Sequence, residues 1–420
     1  MRCYQCGLES PLDGMFRKKL CPSCKKKRSS ILYGIIYALL AVEFVFLAMQ
    51  GRGYAMQLFG WVLCLYLAVV VHESGHLLGR LVTGVPVWKF TIGRGKLLAR
   101  RRICGVEFQL RFGLSGSVAG MTLNMRGWRW RRFVCVAFGP LANVGLCLAA
   151  LHLAGGWGHL PGSVEQIRPF SWEMLAMANG VLFVTNCLYF GNVRTAAGLS
   201  QSDTRQMLQL LTKPLPTLSQ RQANYYLNLG SILCEGKSYF AAREVFARGV
   251  GQLPSNTQLK LGLGQTYLLT GEYETGRAML RELSSTHTKK DAIRAYVQNN
   301  LAWADLMIGG EQKIEEADAA SAEAHLLMPW EASIQSTRGL ALLERGDVAD
   351  ARPLLQKALQ GADRNENKAS VLCSLAMAEQ RSGNRAQARN YVERARRLDG
   401  NCELLARAER ELAEMPQQAS

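Results

Sequence analysis

Residues 55–81 read AMQLFGWVLCLYLAVVVHESGHLLGRL, and the two halves of this stretch ask for opposite surroundings. Ala55 to Val71 carries no charge, and soluble core helices seldom run so far without one. Crossing a bilayer takes about 20 mostly apolar helical residues. Directly after this run comes His72-Glu73-Ser74-Gly75-His76, an H-E-x-x-H pattern. Spacing of i to i+4 puts His72 and His76 on one helical face, where their imidazoles can share a Zn2+, with Glu73 beside them to take a proton from water. Two histidines and a carboxylate are costly in lipid unless they line a polar cavity. The position of the motif therefore argues for a site.

Working outward, Ser30 to Gln50, Phe133 to Gly155 and Met174 to Val193 are also apolar enough to span a membrane. The mean hydropathy of −0.02 hides this segregation between an apolar front half and a water-soluble back half. Charge is segregated too. Of the net +17, residues 1–30 hold +6 and residues 85–132 hold +10. Both basic stretches flank apolar segments, where the positive-inside rule concentrates Lys and Arg, so membrane topology accounts for them ahead of nucleic-acid binding. With Lys25 to Arg28 in the cytoplasm, four crossings return both basic stretches and everything after Val193 to the cytoplasmic side. Glu43, inside the first apolar segment, is a functional carboxylate by default, with a position near the helix end or a polar partner in the bundle as equal alternatives.

A catalytic zinc takes three protein ligands and keeps a fourth position for water. His152 and His159 fall toward the outer side and His287 and His325 in the soluble half. Asp203 is the only carboxylate between Glu173 and the soluble region, and lies just past the expected inner end of the fourth helix, so it leads as third ligand. HESGH, Phe138-Gly139-Pro140-Leu141-Ala142-Asn143, and Asn186 followed by Ser202-Asp203 together resemble, in order, the site-2-protease family of intramembrane zinc metallopeptidases, from about Ala55 to Leu210. The resemblance implies His72, His76 and Asp203 as zinc ligands and Glu73 as general base. It also implies a short membrane-associated β-hairpin within Trp88 to Gly120, able to pair with an extended substrate. Asn143 and Asn186 inherit a substrate-polarising role, with a helix–helix hydrogen bond as the equal alternative for Asn143. The chain departs from the family's Asn-x-x-Pro, where Asn186 leads to Cys187-Leu188-Tyr189 and the Pro is missing, and after Asp203, where Thr204 replaces Gly.

At the amino terminus, Cys3-x2-Cys6 and Cys21-x2-Cys24 give four thiolates the spacing of a structural zinc site, in a segment too small to fold on burial alone. It resembles a zinc ribbon. A disulfide framework is the rival, disfavoured by a reducing cytoplasm. The ribbon's basic residues suit a protein partner, anionic lipid or nucleic acid, with a docking role ahead. After Lys213-Pro214-Leu215-Pro216 the composition turns to Ala, Leu, Glu, Arg and Gln. Gly271, Gly346 and Gly383 each have a small residue seven positions before, at Gly264, Gly339 and Ala376, and five after, at Gly276, Ala351 and Ala388. This resembles tetratricopeptide repeats, with Gly236 marking the first and an irregular unit near Gly309-Gly310.

The expected fold is mainly α. It comprises a zinc ribbon (1–28), a polytopic membrane metalloprotease core of about four helices with a β-hairpin insertion (29–212), a linker (213–218), a cytosolic α-solenoid (219–415) and a tail (416–420). The expected activity is zinc endopeptidase cleavage in or near transmembrane segments of membrane proteins, with one catalytic and one structural Zn2+. The expected partners are the lipid bilayer of the cell's inner or plasma membrane, a membrane-protein substrate and a protein on the repeats. The rival is an inactive membrane scaffold that uses ribbon and repeats for binding.

Overall fold

The computed structural model describes residues 9–11, 21, 42, 52–93, 97–113, 116–120, 126–159, 168–188, 192–195, 198–212, 214, 217–362 and 364–414. Two compact units are present, Tyr33–Tyr225, and Met1–Leu32 together with Tyr226–Ser420. The apolar segment Ser30 to Gln50, with Glu43, lies outside the described residues apart from Val42. So do Cys3, Cys6 and Cys24.

The first unit is built on α1 (Arg52–Val82), α2 (Trp128–Leu153) and α3 (Trp172–Leu188). Small residues at Cys64, Ala68, Gly75 and Gly79 line one face of α1 and let its neighbours approach closely. A Cβ at Gly75 would lie 2.3 Å from the Phe138 carbonyl oxygen, and one at Gly79 would lie 2.9 Å from Phe138 Cβ, so α2 packs directly on the α1 backbone there. Cys64 meets Met174 and Ala178 of α3 in a buried cluster. The opposite faces are apolar and uncovered, with Phe59, Leu67, Leu78 and Leu81 on α1 and Leu141 and Leu148 on α2 all exposed. Ala55–Val82 and Trp128–Leu153 are long and apolar enough to cross a membrane.

The fourth expected span is shorter than the sequence suggests. It ends at Leu188, and Val193 belongs instead to a hairpin of β5 (Asn192–Thr195) and β6 (Gly198–Gln201). A short helix, α4 (Asp203–Thr212), follows. Between α1 and α2 the expected hairpin is a four-stranded mixed sheet of β1 (Val87–Ile92), β2 (Leu97–Ile103), β3 (Val106–Arg111) and β4 (Gly116–Gly120), in the order β2-β3-β1-β4. Strands β1 and β3 run parallel; β2 is antiparallel to β3, and β4 to β1. Cys104 (φ 49°) and Gly105 (φ 79°) make the tight β2–β3 turn, the left-handed pair that a two-residue hairpin needs. Among the described residues, β4 pairs along one edge and leaves the other free.

The second unit carries five antiparallel helix pairs: α5 (Leu218–Glu235) with α6 (Tyr239–Gln252), α7 (Thr257–Leu269) with α8 (Tyr273–Thr286), α9 (Ala292–Ile308) with α10 (Glu311–Leu327), α11 (Ala332–Glu344) with α12 (Val348–Gly361), and α13 (Asn365–Arg381) with α14 (Arg385–Leu398). A final helix, α15 (Leu405–Glu414), follows. Gly271, Gly346 and Gly383 take the left-handed conformation at the turns, with φ of 81°, 89° and 83°. Seven residues earlier, Gly264 and Gly339 leave room for Leu280 and Leu355 of the returning helices, and Ala376 is buried at the same position. In the first pair the left-handed residue is Lys237 (φ 59°), not Gly236. Counting from Lys237 restores the register, because Gly230 lies seven before it and meets Phe246 nine after it. Polar contacts join the ends of this stack. Lys237 Nζ lies 3.0 Å from Glu366 Oε1 and 3.8 Å from Asp399 Oδ2, and the Tyr273 hydroxyl donates to Glu403 Oε2 at 3.1 Å.

Candidate metal centre

Helix α1 delivers His72 and His76 to one face and α4 brings Asp203 against them. Their candidate ligand atoms lie within 4.8 Å of one another, and this is the one such cluster among the described residues. His72 Nε2 is 2.9 Å from Asp203 Oδ2, His76 Nε2 is 3.4 Å from the same oxygen, and the two Nε2 atoms are 3.2 Å apart. His152, His287 and His325 belong to other parts of the fold. His287, for example, pairs with Asp291 at 3.0 Å.

The partners of the other ring nitrogens decide where the protons sit. His76 Nδ1 is 2.9 Å from the Cys135 carbonyl oxygen, which only accepts, so Nδ1 carries the hydrogen. His72 Nδ1 is 2.7 Å from Asn143 Oδ1. The Asn143 amide orientation follows from its other bonds, since Nδ2 donates to the Ala68 carbonyl at 3.0 Å and to Asn179 Oδ1 at 2.8 Å. Oδ1 is therefore the acceptor, and His72 Nδ1 carries its hydrogen. In the neutral imidazoles both Nε2 atoms then present lone pairs toward one carboxylate oxygen. Burial opposes ionisation of Asp203, and only when His72 and His76 are protonated and donate to it do they outweigh burial and hold the carboxyl well below the usual range. Three electron-pair donors thus converge, an arrangement that requires a cation, either a proton or a metal ion, between them.

Glu73 is buried beside this cluster, 7% exposed. Its carboxyl fills the space that a side chain at Gly116 would take, for a Cβ there would lie 2.2 Å from Glu73 Cγ and 2.7 Å from Oε1. Arg80, two turns further along α1, donates to the Val118 carbonyl at 2.9 Å and ties β4 to the helix that carries Glu73. Gly139 is the counterpart for His76, whose ring occupies the position of the missing side chain.

Asn143 and Asn186 part company here. Asn143 is fully buried, and its amide spans α1, α2 and α3 while orienting His72. Asn186 contributes its backbone carbonyl, which accepts from the Thr204 hydroxyl at 2.6 Å. Thr204, a departure from the family pattern, thereby joins the first turn of α4 to the last turn of α3 beside Asp203. The sequence reading did not single out Asn179, whose signal was an amide in an otherwise apolar helix. Gly139 lay inside the quoted FGPLAN motif without a role of its own, and Gly116 gave no signal, because the side chains that need their emptiness come from a distant segment.

Fold and site together define an apolar helical unit with a two-histidine, one-aspartate metal cluster, joined to a helical-repeat region. The chain belongs to peptidase family M50, whose model matches residues 60–344, and a tetratricopeptide-repeat model matches residues 330–401. A zinc-metalloprotease candidate of Chlamydia trachomatis is 24% identical over 231 residues, which cover 47% of this chain and 36% of that one. One from Chlamydia pneumoniae is 30% identical over 119 residues, covering 22% of this chain and 19% of its own. The chain thus spans little more than a third of the first relative and a fifth of the second. Among solved structures, a thermophilic TPR protein of Thermus thermophilus aligns with 46% of this chain and 99% of its own, at 20% identity and a TM-score of 0.37.

Proposed function

We propose that the chain is an intramembrane zinc endopeptidase that hydrolyses peptide bonds in or near transmembrane segments of membrane proteins, close to the cytoplasmic face. The observation that carries this reading is the convergence of His72 Nε2, His76 Nε2 and the Asp203 carboxylate. Both imidazole tautomers are set by Asn143 and the Cys135 carbonyl, as metal-ligating histidines are usually held by their other nitrogen. Zinc bound there supplies a Lewis acid and lowers the pKa of water toward neutrality. Glu73 takes the proton from the attacking water and passes it to the leaving amine. The free edge of β4, with Gly116 against Glu73, offers backbone groups with which an extended substrate can pair. A helical substrate must first unwind, because its scissile carbonyl is otherwise committed to a backbone hydrogen bond.

Four crossings are proposed, with the ribbon and the solenoid in the cytoplasm and a protein partner on the repeats. The uncovered apolar faces of α1 and α2 support the membrane setting, since soluble monomers rarely expose large contiguous apolar patches. The 17 residues of α3 rise about 26 Å, within the thinning a bilayer of about 30 Å accommodates. A second, structural Zn2+ is assigned to Cys3, Cys6, Cys21 and Cys24. Of these only Cys21 is described, and it is buried. The test is Glu73→Gln in the full chain, assayed on a fluorogenic peptide with a transmembrane segment in detergent micelles. Zinc content should be unchanged and cleavage should fall by about 10²–10⁴-fold. Full cleavage in this variant would refute the mechanism, and no zinc at the site in the unaltered chain would favour the scaffold.

A further inference from the structure

The solenoid's inter-pair turns differ in one respect. Leu253 to Asn256 and His287 to Asp291 are exposed or half-buried, and between α12 and α13 Ala362 is buried and Arg364 exposed, whereas Leu327, Met328 and Pro329, between α10 and α11, are all buried. Leu327 is the last residue of α10, where backbone carbonyls have run out of intrahelical donors. Its carbonyl accepts instead from the hydroxyl of Ser10 at 2.7 Å, across 317 positions of sequence. Ser10 is itself only 3% exposed and Cys21 1%, and the two belong to the same compact unit as the solenoid. A serine outside any helix of the repeats thus bonds to the end of α10, at a turn whose Leu327 and Met328 pack with Ala295, Ala324 and Ile334 of the solenoid.

We propose that residues 9–11, centred on Ser10, are a resident ligand of the solenoid, docked in cis on the α10–α11 turn. The dock is more than a charge attraction, since it joins a neutral hydroxyl to a backbone carbonyl. A topological consequence follows, and it rests on the membrane reading above. Ser10 and Leu327 can touch only if they lie on one face of the bilayer, so the chain between them crosses an even number of times. Two or four crossings are allowed and three are not.

The test uses the full chain in native membranes, with a specific protease site placed in the 213–218 linker and a different tag at each end. Benzoylphenylalanine is incorporated at position 10 in one variant and at Leu326, which is 63% exposed, in another that keeps Ser10. After irradiation and cleavage the two fragments should migrate together. Adducts should map from position 10 to the 326–330 turn, and from position 326 to the chain around Ser10. Protease access to the two tags in sealed right-side-out and inverted vesicles is the second readout, with both tags expected to be cut from the same face. Fragments that separate in both variants, or adducts that run only as a dimer of the chain before linker cleavage, overturn the docking; tags on one face would then leave the four-crossing reading standing. Tags on opposite faces overturn docking and four-crossing reading together.

Discussion

Gly139→Ala isolates the metal-centre geometry from the rest of the fold. A Cβ at this position of α2 would lie 2.4 Å from His76 Cε1, 2.5 Å from Nε2 and 2.9 Å from Nδ1. Carbon atoms rest about 3.5–4.0 Å apart, so the imidazole must retreat by about 1 Å. Zinc–nitrogen distances tolerate only about ±0.2 Å, and the retreat also pulls Nδ1 from the Cys135 carbonyl. Disturbing the groups that orient a ligand costs about 10–100-fold in metal affinity, and a displaced ligand should lie at the upper end. The assay is competition for zinc against a chromogenic chelator in detergent, with peptide cleavage alongside. Gly145→Ala is the control, since it lies on the same helix with open space where its methyl would go. Equal zinc affinity in the Gly139 and Gly145 variants would refute the assignment of His76 as a ligand.

Asn143→Ala removes the acceptor for His72 Nδ1 and the donor to Ala68 and Asn179. Chelator competition should show about 10–100-fold weaker zinc binding, and a change in substrate KM alone would instead favour direct substrate contact. In the solenoid, Arg277 is 8% exposed and bonded to Asp305, 3% exposed, and to Glu316. Arg277→Ala strands a buried carboxylate and should cost about 3–5 kcal/mol in chemical denaturation; a loss below about 1 kcal/mol would show that the network is solvated. Among the described residues, His325 has no partner for its buried Nδ1, and burial, with Arg338 and Lys357 nearby, holds its pKa below the ordinary value. The unfolded chain therefore takes up a proton that the folded chain resists, and stability is lost as pH falls through about 6.5. Between about pH 7.5 and 5.5, either side of that value, the Tm of the unaltered chain should drop further than that of His325→Gln, and parallel curves would refute this.

The order of elements was legible where chemistry repeats along the chain. An uncharged run ending in HESGH announces a buried polar site in one helix, because lipid tolerates such groups only around a cavity. Glycine spacing announced the helix pairs, since a left-handed turn and a close crossing recur at fixed distances. Legibility failed where a residue's role depends on a distant segment. Lys237, not Gly236, adopts the left-handed turn, because register with Gly230 and Phe246 matters more there than local preference. Strands β5 and β6 went unseen because Val193 continues an apolar run that composition alone cannot end. Thr204 read as a defect beside Asp203 and proves to be a tie between two helix ends.

Nearest-neighbour stacks ordinarily fray from their ends, each pair held only by the next. Here Lys237 with Glu366 and Tyr273 with Glu403 connect early pairs to the last, so fraying at either end must first undo a contact with the other. The latch itself is weak, since an exposed ion pair is worth about 0–1 kcal/mol and a hydrogen bond about 0.5–1.5 kcal/mol. Thermal energy can therefore open it often, while its closed state correlates the motions of pairs far apart in sequence. A protein seated between the ends would meet a gap bridged by these side-chain contacts, and high salt should loosen it by weakening the ion pairs of Lys237.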